Sequence, residues 1–246
     1  MNALRIYHTA DLHDRRGIAP RLRALRALAP GLLFDCGDAL RGSQTVYRRD
    51  EPIVADLAAA GYDAQAVGNR EFHYLFALLA ARARKMHHPL LCTNLIDTWQ
   101  RPLPFARELT LEHGAWRLHV LALLGVQYPT GSPWERILGW RFLDPIVTAQ
   151  RVAEAASRDA TLIVLSHLGL RMDRALARAV PRLDLILGGH SHDTLAAPAI
   201  ENGVPIVHAG PYGAYVSRTE LEEDTASGRA RIANFELLPL LRATAA

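Results

Sequence analysis

Aspartate, histidine and asparagine residues recur directly after short apolar runs in this chain of 246 residues. The stretches that carry them are Asp11-Leu12-His13, Gly37-Asp38, Gly68-Asn69, Ser166-His167 and Gly188-Gly189-His190-Ser191-His192. Carboxylate, amide and imidazole groups are ligands that proteins offer to divalent transition metals. Two Asp, one Asn and four His are together a ligand set for two metal ions.

Each stretch also has an ordinary structural interpretation when it is taken alone. Asp11 could cap a helix, with His13 incidental, and Asp38 could cap the turn that Gly37 permits. The Gly-Gly-His-Ser-His run at 188–192 is the most specific local signal. Its glycines allow close approach of the backbone, and its alternate histidines can reach different ions. The metal interpretation therefore rests on the five stretches together.

Predicted strands and helices place these stretches at one edge of a sheet. Apolar runs predict strands at 4–9, 31–35, 64–67, 90–95, 161–165 and 183–187, with closing strands at 204–208, 214–222 and 230–238. A hairpin is predicted at 105–112 and 116–124, and helices at 15–28, 51–60, 72–86, 144–158 and 171–180. Because open α/β sheets bind ligands beyond the carboxyl ends of their strands, we expect an α/β fold with its site there.

The other histidines and the cysteines are expected to be structural. His8 lies within a predicted strand and is expected to be a buried core residue. Cys36 and Cys92 lie at apolar strand ends and are expected to be buried free thiols, because two cysteines do not make a disulfide framework. Four further histidines are expected away from the site. His87 and His88 are expected on the surface, and His113 and His119 in the predicted hairpin.

Composition and charge limit the classes of partner. Half of the residues are hydrophobic, so a sizeable core is expected. The formal net charge is only +3, which gives nucleic-acid binding little support. The longest apolar run is too short to cross a bilayer, and no signal-peptide pattern precedes the first strand. We therefore expect a cytoplasmic protein without a membrane partner, while its oligomeric state is left open.

The five stretches, in this order, resemble the motifs of the calcineurin-like metallophosphoesterase superfamily. Within it, Thr9-Ala10-Asp11-Leu12-His13 and Gly68-Asn69-Arg70-Glu71-Phe72 resemble the N-terminal catalytic domain of the 5′-nucleotidase and UDP-sugar hydrolase branch. The resemblance extends from about residue 4 to about residue 240. It implies a four-layer αββα sandwich around two mixed sheets.

The resemblance also implies a metal-ligand set, carried over motif by motif. One ion would be held by Asp11, His13, Asp38 and His192, and the second by Asp38, Asn69, His167 and His190. A metal-bridging hydroxide would be the nucleophile that attacks phosphorus. This mixture of nitrogen and oxygen donors favours Mn, Fe, Zn or Co over Mg alone.

Two residues depart from the family pattern. Arg70 stands where the family has a histidine that protonates the leaving oxygen, and His73 stands where the branch has an aspartate. Arginine is a poor proton donor but a good phosphate ligand, because it keeps its proton near neutral pH and its donors are charged. We therefore predict that Arg70 clamps phosphate and that His73 supplies the proton. The alternative is a site with weak or lost hydrolysis.

The function predicted from these residues is two-metal hydrolysis of a small phosphorylated substrate, a nucleotide, sugar phosphate or similar compound. A phosphomonoesterase of 5′-nucleotidase type is the leading interpretation. Phosphodiesterase or nuclease activity and a catalytically weak metal-binding protein are the alternatives. We expect one domain over 1–246 without a C-terminal nucleotide-binding domain. The substrate could be held by the loop predicted at 125–143, and Gly210 and Tyr212 could border it.

Overall fold

Two six-stranded sheets form the centre of the protein in the computed structural model, which describes residues 3–224 and 229–241. The strands are β1 (Leu4–Thr9), β2 (Leu32–Asp35), β3 (Ala64–Ala66), β4 (Leu90–Leu91), β5 (Leu95–Asp97), β6 (Glu108–His113), β7 (Trp116–Leu124), β8 (Trp140–Phe142), β9 (Thr161–His167), β10 (Leu185–Gly188), β11 (Ala199–Glu201), β12 (Val204–His208), β13 (Tyr215–Glu223) and β14 (Ala230–Pro239). The helices are α1 (Ala19–Leu28), α2 (Ile53–Ala60), α3 (Phe76–Ala83), α4 (Pro133–Leu138), α5 (Pro145–Ala155) and α6 (Leu170–Ala179).

Both large sheets are mixed, with parallel strands next to antiparallel ones. The first has the order β14-β13-β1-β2-β3-β4, and its strands from β1 to β4 are parallel. The second has the order β11-β12-β10-β9-β7-β6, with β12, β10, β9 and β7 parallel. Parallel neighbours direct their carboxyl ends to one edge, so the loops that follow them meet there.

The hydrophobic core is arranged in layers. Side chains from the two sheets pack against each other in the middle, among them Ile6, Phe34, Val120, Leu165 and Leu187. Helices α1 and α2 cover the outer face of the first sheet, and α5 and α6 cover the outer face of the second. The predicted α/β class and four-layer αββα sandwich of two mixed sheets are confirmed.

Several predicted helices begin later than their spacing suggests, because tertiary hydrogen bonds or left-handed backbone precede them. The helix predicted at 72–86 is only α3, since Arg82 donates to the carbonyls of Glu71 and Phe72. The helix predicted at 15–28 begins at Ala19, after the left-handed backbone of Asp14 and Gly17. The residues before α2 are likewise held by Glu51, whose carboxylate accepts from two loop amides.

The strand predicted at 90–95 is divided between two sheets. Leu90–Leu91 forms β4 of the first sheet, whereas Leu95–Asp97 pairs with β8. Asn94 causes the departure, because its amide exchanges hydrogen bonds with the backbone of Leu124 in the second sheet. The region 125–143, predicted as a loop, contains α4 and β8.

The histidines outside the ligand set agree with the predictions except at one position. His8 is fully buried and bonds to Ser217, as a core residue should. His88 is buried and bonds to the side chain of Gln65, so its predicted surface position is wrong. Cys36 and Cys92 are buried free thiols, as predicted. Among the described residues, no helix is both long and apolar enough to cross a membrane.

Candidate metal centre

The predicted ligands come from the carboxyl ends of five parallel strands in both sheets. Asp11 and His13 follow β1, Asp38 follows β2 and Asn69 follows β3, while the second sheet contributes the three histidines His167, His190 and His192. Backbone hydrogen bonds join the loops. Asp11 N–H donates to Gly37 O and His13 N–H donates to Asp38 O, both at 2.9 Å. The seven side chains are thus gathered at one edge of the sandwich.

The backbone of five of the seven predicted ligands lies in the left-handed region. The φ angles are 53° for Asp11, 48° for His13, 60° for Asp38, 74° for His190 and 60° for His192. Residues other than glycine seldom adopt such angles, and they persist where the surrounding structure enforces them, often at functional sites. The fold therefore holds these side chains in place at an energetic cost.

The ligand atoms form two groups that share Asp11. Asp11, His13 and His192 offer atoms within 4.8 Å of one another, and so do Asp11, Asp38 and His167. Nε2 of His13 lies 2.9 Å from Nε2 of His192. Asn69 and His190 lie beside these groups, with Asn69 Nδ2 3.3 Å from His190 Nδ1. All seven predicted ligands are therefore close together, although the bridging role predicted for Asp38 stays a prediction.

The pairing of His167 with Asp38 fits a bound cation. His167 Nδ1 donates to the carbonyl of Cys36 at 2.7 Å, so the neutral ring has its lone pair on Nε2. This buried Nε2 has no hydrogen-bond partner and lies 3.3 Å from Asp38 Oδ1. Two acceptors cannot face each other without a proton or a cation between them. The site's own geometry thus fits a metal ion.

The pKa shifts of His167 and Asp38 favour a positive charge between them, whereas the pKa of His13 favours its neutral ring. Burial alone would lower the pKa of His167, but the carboxylates of Asp38 and Asp11 raise that pKa to about 9. Burial would raise the pKa of Asp38, but His167 and the amide of Arg70 hold it at about 2. Burial, and then the charge of Arg70, lower the pKa of His13 to about 4. A neutral imidazole is the form that binds metals.

A buried glutamate that the sequence reasoning missed holds two of the ligand loops. The carboxylate of Glu71 accepts N–H bonds from Asp38 at 2.7 Å and from Gly68 at 3.0 Å. It also accepts from Ala39 at 2.9 Å and from Leu40 at 3.2 Å. The available signal was an acidic residue two positions after Asn69, directly before the helix predicted at 72–86.

Arg70 lies at the edge of the cluster, in contact with Asp38. Its backbone amide donates to Asp38 Oδ1 at 2.8 Å, and its Nε lies 3.9 Å from Asp38 Oδ2. Its side chain is about one-third exposed, so the guanidinium can turn toward a ligand. This placement suits the predicted phosphate clamp.

His73 lies beneath the surface and outside the ligand groups. It is 3% exposed, and its Nδ1 accepts the amide of Leu75 at 3.0 Å. Burial, followed by the charge of Arg82, lowers the pKa of its ring. These neighbours are structural, so the proton-donor role stays a prediction that no contact in the cluster supports.

Tyr212 and Gly210 differ in their relation to the cluster. The Tyr212 ring lies 5.3 Å from His13 and 5.5 Å from His192, and it is 53% exposed. Gly210 has φ of 80°, and a Cβ there would lie 2.2 Å from Thr194 Oγ1. Tyr212 therefore borders the candidate site, whereas Gly210 serves the turn and faces Thr194.

Comparison with known proteins places this geometry in a family. The model of the calcineurin-like phosphoesterases matches residues 4–194. The chain belongs to this family. The family is metal-dependent, which agrees with the candidate ligand groups. The resemblance predicted from the motifs is thereby confirmed.

Relatives and solved structures support the same placement. The metallophosphoesterase YunD of Bacillus subtilis is 31% identical over 239 residues, which cover 90% of this chain and 50% of YunD. A 5′-nucleotidase of Vibrio cholerae is 28% identical over 287 residues, covering 96% of this chain and 51% of that protein. A 5′-nucleotidase precursor from Thermus thermophilus shares the fold, with a TM-score of 0.79 at 24% identity, over 97% of this chain and 54% of that one. The chain thus spans about half the length of these relatives.

Proposed function

We propose that this chain hydrolyses phosphomonoesters with two divalent metal ions, as a phosphatase of 5′-nucleotidase type. The observation that carries the proposal is the position of Asp38 against the buried Nε2 of His167, within a cluster of Asp and His from both sheets. Membership of the phosphoesterase family supports the reaction class. Relatives named 5′-nucleotidase support a monoester substrate.

The proposed metal ligands are the seven residues of the cluster. We assign one ion to Asp11, His13, Asp38 and His192, and the other to Asp38, Asn69, His167 and His190. This donor set favours Mn, Fe, Zn or Co. When bound, the ions would activate the attacking water and neutralise charge on the phosphoryl oxygens.

The chain's own residues orient the substrate around these ions. The Arg70 guanidinium binds the phosphoryl oxygens through charged hydrogen bonds, and it lies close enough to Asp38 to act over the same phosphoryl group. Glu71 keeps the Asp38 and Gly68 loops in register through their amides. Tyr212 adds an exposed ring beside His13 and His192, where a bound substrate can contact it.

A second candidate function follows from Arg70 itself. Arginine cannot replace a histidine as a proton donor near neutral pH, because its guanidinium does not release a proton there. A protein with this residue could therefore bind metal and phosphate with little turnover. Phosphodiesterase or nuclease activity is a third candidate, with a different ester as substrate.

The experiment is metal analysis coupled to hydrolysis of a substrate panel. The panel contains p-nitrophenyl phosphate, bis-p-nitrophenyl phosphate, nucleoside monophosphates and UDP-sugars. We expect about two ions per chain, as two-metal hydrolases require, and faster hydrolysis of the monoesters. The variants Asp38→Asn and His190→Ala should lose metal and activity together. His113→Ala, an exposed residue at the end of β6, is the matched control.

The outcomes separate the candidates. Two tightly bound ions in both ligand variants would contradict the site assignment. Two ions in the wild type without turnover would identify the metal-binding protein of low activity. Faster hydrolysis of bis-p-nitrophenyl phosphate than of p-nitrophenyl phosphate would assign the site to phosphodiesters.

A further inference from the structure

A cavity of about 420 Å³ has a lining residue, Gln127, that is hydrogen-bonded to Asn69 of the metal-ligand cluster. It is lined by Thr45, Tyr74, Gln127, Tyr128, Trp134 and Leu138. None of these six side chains carries a charge, and three of them are aromatic. Its volume lies within the range of about 300–1,000 Å³ that is typical of pockets for small organic ligands.

Gln127 connects this cavity to the cluster. Its Nε2 donates to Oδ1 of Asn69 at 3.2 Å and to the carbonyl of Gly125 at 2.8 Å. Its Oε1 accepts from Gln44 Nε2 at 3.2 Å. One side chain is therefore part of the cavity wall and also contacts a proposed metal ligand. A molecule with its phosphoryl group at the cluster can extend into the cavity.

The cavity wall is held in shape by the fold. The rings of Tyr74 and Tyr128 stack with centroids 6.3 Å apart, and Tyr128 Oη donates to the carbonyl of Trp140 at 2.7 Å. Trp140 in turn donates its indole N–H to the carbonyl of Tyr74 at 2.9 Å. The Tyr74–Tyr128 face is thus bonded at both ends to one fully buried tryptophan, so it is formed before a ligand arrives.

The opposite side comes from the short helix α4, which is fixed by its own contacts. Glu135 accepts the amide of Gly131 at 2.9 Å and the Nε of Arg141 at 2.6 Å. This anchoring presents Trp134 with 56% of its surface exposed. An exposed indole beside an uncharged pocket is suited to stack on a planar ring, because a large apolar face is otherwise left in water.

We propose that this cavity is the leaving-group subsite, and that it takes the planar base of a nucleoside monophosphate. The inference rests on the proposed function, because the phosphoryl group must bind at the metal cluster. Trp134 stacks on the base, the Tyr74–Tyr128 face packs against its other side or edge, and the Gln127 amide contacts its sugar or polar edge. The absence of charge among the lining residues matches the neutral nucleobase, while the anionic end lies near Arg70.

The first test compares two substrates that differ at C1 of the ribose, where one carries the base and the other a hydroxyl group. Adenosine 5′-monophosphate and ribose 5-phosphate carry the same primary phosphate ester. We expect a higher kcat/KM for the nucleotide in the wild type. Trp134→Ala should lower the nucleotide-to-ribose ratio by about tenfold, the size of one lost base–aromatic contact. Trp99→Ala is the matched control, because Trp99 is 52% exposed and does not line the cavity.

The second test needs no turnover and no metal. Adenosine, which has no phosphate, should quench the tryptophan emission of the wild type and of Trp99→Phe. The quenching should be largely lost in Trp134→Phe, since Trp134 is the indole that the base would contact. Circular dichroism of each variant checks that the fold is retained.

The outcomes keep this inference distinct from the proposed function. Quenching through Trp134 without hydrolysis of any phosphate ester would support the subsite and overturn the activity. Equal kcat/KM for the two substrates, with no quenching by adenosine, would overturn the subsite while hydrolysis itself stood. An equal fall of the ratio in Trp99→Ala and Trp134→Ala would also overturn it.

Discussion

The carboxylate of Glu71 accepts the backbone amide of Asp38 at 2.7 Å, so one buried acid determines where another is held. Glu71 is fully buried and receives three further amides from the same two loops. No basic side chain takes part in these contacts. The negative charge is stabilised by backbone dipoles, which also orients the loop that presents Asp38.

Replacing this acid by its amide should damage the site without changing its size. In Glu71→Gln, one acceptor oxygen becomes an NH2 group that faces amide donors. We expect a loss of about 2–4 kcal/mol in the free energy of unfolding, because hydrogen bonds to charged groups contribute about 1.5–3 kcal/mol each. Urea unfolding measures this loss. Glu108 pairs with His119 where both side chains are partly exposed, so Glu108→Gln should cost less than about 1 kcal/mol. Equal losses of unfolding free energy in Glu71→Gln and Glu108→Gln would contradict the role given to Glu71.

Arg70 provides a second prediction, for phosphate binding. Arg70→Ala should lower kcat/KM for p-nitrophenyl phosphate by about 10–100-fold, since charged hydrogen bonds to the phosphoryl oxygens are removed. Arg70→Lys should recover part of this loss, because it keeps the charge but not the paired donors. Steady-state kinetics measure both. Arg23→Ala, on the exposed face of α1, is the control. An unchanged kcat/KM in Arg70→Ala would contradict the proposal that Arg70 binds the phosphoryl group.

His73 can be tested through the leaving group. As a proton donor, it would be needed for alkyl phosphates but not for p-nitrophenyl phosphate, whose leaving group departs as an anion. His73→Ala would then slow alkyl phosphates selectively, by about 10²–10⁴-fold. Loss of the hydrogen bond from the Leu75 amide should lower the unfolding free energy in either case. Similar rate changes on both substrates would assign His73 a structural role, in keeping with its burial.

Stability should fall in acid because of His88. Burial, and then the charge of His87, lower the pKa of His88 to about 4, below its usual value of about 6.5. The unfolded chain therefore binds a proton first. The contribution of neutral His88 to the free energy of unfolding is complete above about pH 6.5. It is lost as the pH falls toward about 4, at up to about 1.4 kcal/mol per pH unit.

The measurement is urea unfolding across that pH range. From about pH 6.5 to about pH 4, the free energy of unfolding should fall by about 2–3 kcal/mol less in His88→Gln than in the wild type, because the titrating group is gone. Glutamine can keep a hydrogen bond to Gln65. His87→Gln changes the exposed neighbour and should leave the pH dependence nearly as it is. The same slope in wild type and His88→Gln would contradict this account.

The ligand candidates were accessible from the sequence because each one lies next to a recognisable strand. Apolar runs predicted the strands, and the polar residues directly after them, such as Asp11 and Asp38, were predicted to gather at one edge. That gathering is observed. The layered fold was predicted from the same motifs through the family resemblance, and it is confirmed.

What the sequence did not predict depends on partners far away along the chain. Arg82 binds the carbonyls of Glu71 and Phe72, so the predicted helix begins later, at Phe76. Asn94 draws the chain from the first sheet to the second by bonding to Leu124. Helical spacing and strand propensity describe only local preference, and such tertiary hydrogen bonds override it.

Residue types and their order along the chain determined which groups could bind metal and which family the motifs resemble. Only the tertiary structure decided that His167 faces Asp38 through an unpaired nitrogen, that Glu71 holds the Asp38 and Gly68 loops, and that a cavity lies beside Asn69. The physical reason is that donor chemistry belongs to each side chain alone. Distance, burial and charge, in contrast, arise between residues that only the fold brings together.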